Sequence, residues 1–138
     1  MKYILEHPIS GQSVKNKYES IIKWRNGIIR TDEPPETGGQ DKGPDPYTLL
    51  LSSLVACTIA TLNMYLEIHN IKLLTIEVEA NMIQKLEQEG LVMHIERSIT
   101  FRNHNDKKLQ EKLLRVADNC SVAKLLSGKM KITTTVRS

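Results

Sequence analysis

Cysteine and aromatic side chains are scarce in this chain: its 138 residues hold two cysteines, one tryptophan, one phenylalanine and four tyrosines. Two thiols, Cys57 and Cys120, do not make the disulfide framework that holds small secreted domains together. Neither belongs to a Cys-x-x-Cys pair, and the short spacings of a structural zinc site are missing. His7, His69, His94 and His104 form no short ligand pattern, so no metal is expected. Lysine and arginine are scattered among acidic residues at a net charge of +3, and with so few aromatics to stack on bases a nucleic-acid partner is not expected. Gly38, Gly39 and Gly43 make neither GxGxxG nor a Walker loop, which leaves nucleotide binding unsupported. No apolar run approaches the roughly 18 residues of a membrane span, and Met1–Pro8 lacks the apolar centre of a secretory signal. The expectation is a soluble, cytoplasmic protein with no membrane partner.

In that compartment thiols are kept reduced, so a Cys57–Cys120 disulfide would be transient and catalytic. The residues alone leave three readings open: a redox pair, a single nucleophile, or two inert cysteines packed as small hydrophobes.

The length fits one hydrophobic core, and residues 1–138 are expected to form a single domain. Two Ile-rich runs, Tyr18–Trp24 and Gly27–Thr31, flank Arg25-Asn26-Gly27, whose Asn-Gly dipeptide favours a tight hairpin turn. A further strand is expected at Lys2–Glu6. The stretch Asp32–Pro46 is too rich in Gly and Pro for regular structure. Asp45 then offers a cap and Pro46 suits a first helical position, predicting a helix to about Ile68. That helix is apolar nearly all round, so it should be buried on most faces, with a second subunit covering what one chain cannot. Alternation at Ile76–Ile83 and Leu91–Phe101, joined by the polar Gln84–Gly90, predicts a second antiparallel pair. An amphipathic helix follows over Asp106–Asp118, then Cys120, a short helix Val122–Leu126 ended by Gly128, and a β-rich tail at Lys131–Val136. This non-alternating order implies an α+β fold.

The run Gly38–Tyr65, GGQDKGPDPYTLLLSSLVACTIATLNMY, followed by ADNCSVAKLLSG at Ala117–Gly128, resembles the two cysteine motifs of the OsmC/Ohr family of osmotically inducible and organic-hydroperoxide-resistance proteins. The resemblance implies an intertwined α+β homodimer with antiparallel sheets around a long central helix and active sites at the subunit interface. It implies that Cys57 attacks the peroxide O–O bond and that Cys120 resolves the sulfenic acid. Arg25, in the hairpin turn, takes the place of the family's activating arginine, with Arg30 as the alternative. Tyr47, Leu50 and Leu54 are the expected wall of an apolar pocket. Two positions depart from the family pattern. Tyr47 stands where the well-studied peroxidases place a glutamate that holds the arginine, and a neutral phenol holds a guanidinium less firmly. Ser121 stands where proline commonly follows the second cysteine. The DEP and GPDPY strings are closer to a less characterised OsmC-like branch.

The implied activity is a thiol peroxidase that reduces organic, including fatty-acyl, hydroperoxides and is itself reduced by an external dithiol. No cofactor is needed, because the two sulfurs store the oxidising equivalents. The competing class is a non-enzymatic dimer of the same fold that binds an apolar small molecule or serves as a redox sensor.

Overall fold

The computed structural model describes residues 2–72, 75–102 and 104–137. These fall into two compact units, Met1–Leu50 and Leu51–Ser138.

In the first unit, strands β1 (Ser10–Ser13), β2 (Ser20–Trp24) and β3 (Gly27–Thr31) form an antiparallel sheet in that order. Trp24 pairs with Gly27, so the hairpin forms as predicted but its two-residue turn is Arg25-Asn26, one residue earlier than an Asn-Gly turn would fall, and none of Arg25, Asn26 and Gly27 has the positive φ of such a turn. A Cβ on Gly27 would lie 2.3 Å from the indole of Trp24, which fixes glycine at that corner. Lys2–Glu6 is not a strand. Tyr3, Ile4 and Leu5 are exposed, and alternation without a pairing edge does not make a strand. The strand that does form, Ser10–Ser13, pairs with Ser20–Lys23 and carries no apolar side chain to announce it.

The loop after β3 is ordered around one carboxylate. Asp32 is buried and accepts hydrogen bonds from the backbone N–H groups of Glu33 (2.8 Å), Gln40 (3.2 Å) and Lys42 (3.1 Å). Burial opposes its ionisation, but the three donors outweigh burial and hold the carboxyl below its ordinary value. A single 3-10 turn, Pro35–Thr37, closes on Gly38 at φ 100°. A Cβ on Gly39 would sit 1.8 Å from the Glu33 carbonyl oxygen, and one on Gly43 would sit 2.0 Å from that of Arg30. The glycines therefore serve close backbone approach.

Helix α1 (Pro46–Ile68) begins as the sequence predicts, with the Asp45 carbonyl accepting from the Leu49 N–H at 3.1 Å and its carboxylate accepting from the Thr48 hydroxyl. Only a single stripe of it is buried, Leu54, Thr58, Leu62 and Leu66, each four residues from the last. Tyr47, Leu50, Met64 and Ile68 are exposed, so within one chain α1 is not buried on most faces. Nor is a span-length apolar segment absent: by length and composition α1 could cross a membrane, because its polar residues before Glu67 are uncharged Ser, Thr and Asn.

In the second unit, β4 (Ile76–Glu87) and β5 (Gly90–Phe101) form a long antiparallel hairpin. The strands extend past the predicted polar connection, leaving a two-residue turn at Gln88-Glu89 with Gly90 at φ 116°. Helix α2 (Lys107–Ala117) is capped by Asp106, whose side chain accepts from the Leu109 N–H at 3.2 Å. Helix α3 (Ser121–Ser127) follows. Leu62 and Leu66 of α1 meet Leu113 and Ala117 of α2 in the core, with Ile76, Ile99 and Phe101 packed from the hairpin. The expected strand at Lys131–Val136 is absent, and Ile132 and Val136 are exposed; β-branched residues without a neighbouring edge stay extended and unpaired.

Candidate active site

Folding of the second unit brings the two cysteines together. Cys57 lies in the middle of α1, and Cys120 lies in the tight connection between α2 and α3. That connection is built by the backbone: the N–H of Cys120 donates to Ala117 at 3.1 Å, and the Cys120 carbonyl accepts from Lys124 at 3.1 Å. Cys120 occupies the cap position of α3, yet its side chain makes no capping bond. Its thiol is fully buried and lies near Cys57. Both thiols are free.

Hydroxyls complete the surroundings of Cys57. The Ser121 Oγ lies 3.5 Å and the Thr61 Oγ1 4.0 Å from its Sγ. Partial burial alone would push the thiol up. Hydrogen bonds from the Cys120 thiol, the Ser121 hydroxyl, the Val122 N–H and the Thr61 hydroxyl more than offset it and lower the pKa from 9.0 to about 7. The donors so arranged are neutral, and all belong to the same unit as Cys57. About half of Cys57 is therefore thiolate near neutral pH, which is the form that acts as a nucleophile.

The other expected site residues lie in the first unit or in the core. Arg25 is an exposed turn residue between β2 and β3. Arg30 is engaged by an almost buried carboxylate, its Nε 3.1 Å from Glu19, which also accepts from the Asn16 amide at 2.7 Å. Tyr47 is 65% exposed, and Leu50 is exposed on the next turn of α1, whose first turn carries no acidic residue. Leu54 belongs to the buried stripe. Among the described residues no group of His, Cys, Asp and Glu is arranged to hold a metal.

One residue of the site escaped the sequence reading. Arg97 of β5 reaches both cysteine-bearing segments: its Nη1 donates to the Thr58 Oγ1 at 2.9 Å, and its Nη2 to the Asp118 Oδ1 at 3.3 Å. The signal was available in the strand pattern. Arg97 falls in phase with Ile95, Ile99 and Phe101, and a charge among the inward positions of a half-buried strand needs a buried partner.

The OsmC-like protein family model matches residues 39–135, more than half of the chain. The chain belongs to the OsmC-like family. A comparison with curated proteins gives no match. Among solved structures, an organic hydroperoxide resistance protein from Elizabethkingia anophelis is similar at 19% identity and a TM-score of 0.68, with 93% of this chain and 92% of that chain covered. The organic hydroperoxide resistance protein OhrB of Bacillus subtilis is similar at 16% identity and a TM-score of 0.64, with coverage of 91% and 93%. An OsmC-like protein from Mycoplasma pneumoniae is similar at 21% identity and a TM-score of 0.62, with 90% of each chain covered. At these identities the likeness establishes the α+β OsmC-like fold.

Proposed function

We propose that this OsmC-like chain is a thiol peroxidase that reduces organic hydroperoxides, with Cys57 as the attacking thiol and Cys120 as the resolving one. The observation that carries the reading is the Cys57 sulfur set against the Cys120 thiol and the Ser121 hydroxyl, with its pKa lowered to about 7. The Cys57 thiolate attacks one peroxide oxygen, the O–O bond breaks, and the alkoxide leaves as the alcohol after taking a proton. Cys57 is then a sulfenic acid. The Cys120 sulfur attacks it, water leaves, and the disulfide holds the two electrons' worth of oxidation until an external dithiol reduces it. No cofactor enters these steps.

The family resemblance assigns Arg25 as a cation that further stabilises the thiolate, and Tyr47, Leu50 and Leu54 as apolar contacts for the alkyl chain. The same resemblance assigns a homodimer. The outer side of α1 and the unpaired terminal segments leave Tyr3, Ile4, Met64, Ile68 and Ile132 exposed, and a second copy is the natural cover for such surfaces.

The reading is tested by following cumene hydroperoxide consumption with a dithiol reductant. Cys57→Ser should abolish it. Cys120→Ser should leave one turnover and a sulfenic acid that dimedone traps. Equal consumption by the Cys57→Ser protein would overturn the assignment. The absence of an acidic partner for Arg25 in the first turn of α1 favours a second reading, a redox sensor of the same fold. Its mark would be stoichiometric oxidation of Cys57 without turnover.

A further inference from the structure

We infer that Arg97 is a positioning residue that clamps the Cys120-bearing connection to the Cys57-bearing helix, and so sets how readily the two sulfurs join. The inference rests on the Cys57/Cys120 reading above.

The geometry is specific to a fork. Thr58 directly follows Cys57, and Asp118 lies two residues before Cys120. Arg97 spans the two with separate nitrogens, at 2.9 Å to the Thr58 hydroxyl and 3.3 Å to the Asp118 carboxylate. Thr58 is completely buried, and its hydroxyl donates to the Leu54 carbonyl at 2.7 Å while accepting from Arg97. The Arg97 end of the clamp is thus anchored to the rigid middle of α1. Arg97 itself is 15% exposed, whereas Asp118 is 80% exposed. The Asp118 carboxylate stays largely in solvent, held at one edge by the guanidinium.

Asp118 closes α2 with its N–H on the Leu114 carbonyl, and Asn119 and Cys120 continue that turn. Holding the Asp118 side chain therefore restrains the turn that delivers Cys120. A lysine could carry the charge, but a single ammonium cannot reproduce two diverging planar donors. The fork tethers β5, α1 and the α2–α3 connection at one point. Its effect is to raise the effective concentration of one sulfur at the other.

The test is a thiol–disulfide equilibrium in mixtures of reduced and oxidised glutathione. There, oxidised glutathione takes two electrons from Cys57 and Cys120, one disulfide forms within the chain, and two glutathione thiols are released. Arg97→Met should lower the equilibrium constant for the Cys57–Cys120 disulfide about tenfold, the loss expected of a charge-assisted hydrogen bond. That corresponds to a reduction potential higher by about 30 mV. Asp118→Ala, at an exposed position that the fold tolerates, should lower the constant about threefold, and Arg97→Lys should fall between wild type and Arg97→Met. Wild-type constants in both Arg97→Met and Asp118→Ala would overturn the clamp while leaving the peroxidase reading intact. The predicted losses in a protein that does not turn over cumene hydroperoxide would uphold the clamp and sink the peroxidase. A wild-type protein that forms no Cys57–Cys120 disulfide would overturn both.

Discussion

Replacing Ser121 with alanine is expected to raise the pH at which Cys57 becomes a thiolate. Four neutral donors lower that thiol from 9.0 to about 7 against the opposing effect of burial. At pH 7 a group with a pKa of 7 is about one-half ionised and one with a pKa of 9 about one-hundredth, so the site gains roughly fiftyfold in thiolate. Intrinsic nucleophilicity falls as the pKa falls, by roughly eightfold over two units at a Brønsted slope near 0.45, and a net gain of about sixfold remains. The Ser121 hydroxyl at 3.5 Å is one of the four donors. Its loss should move the midpoint upward by about half a unit to one unit. The sign follows from which form is favoured: donors stabilise the anion, so removing one leaves the thiol protonated to higher pH, while the plateau rate at pH 10 and above rises about two- to threefold as the thiolate becomes more nucleophilic. The assay is iodoacetamide alkylation across pH 5–11, with Cys57 located by peptide mass. An unchanged midpoint in Ser121→Ala, or a wild-type midpoint near 9, would refute the account of a thiolate held by neutral donors.

The proposal of a homodimer covering the exposed side of α1 predicts that association and folding are linked, so the thermal midpoint should rise with protein concentration; a folded monomer at micromolar concentration in sedimentation would contradict it. Gly43→Ala should destabilise the protein by about 1–3 kcal/mol, because the new Cβ would sit 2.0 Å from the Arg30 carbonyl oxygen and the loop must shift. A thermal midpoint equal to that of wild type would show that the loop yields without cost.

Elements that announce themselves by local chemistry were legible. Asn26-Gly27 marked the first hairpin to within one residue, Asp45-Pro46 the start of α1, and Asp106 the cap of α2, each a signal carried within a few residues of the element it marks. What depends on a distant partner was not legible. Ser10–Ser13 becomes a strand only because β2 offers an edge, while the more apolar Lys2–Glu6 and Lys131–Val136 find none. The polar Gln84–Glu87 stays in the ladder because Gly90–Met93 pairs with it residue by residue. The apolar composition of α1 likewise does not say which stripe this chain covers; the fold shows it to be Leu54, Thr58, Leu62 and Leu66.

The site divides in the same way. Cys57 and Cys120 could be named from their motifs, but the lowering of the Cys57 pKa comes chiefly from Cys120, Ser121 and the Val122 N–H, which meet it only once α3 is delivered to α1, while Thr61 adds its hydroxyl from the next turn of α1 itself. Ser121, a departure from the family's usual proline, contributes a hydroxyl that proline could not. Arg97 carries the same lesson in a sharper form. Its two bonds run to Thr58 and Asp118, residues that look ordinary in sequence. A charge in the inward phase of β5 is costly unless it is paired, so the strand that breaks its own alternation marks the place where the fold holds two reactive segments together.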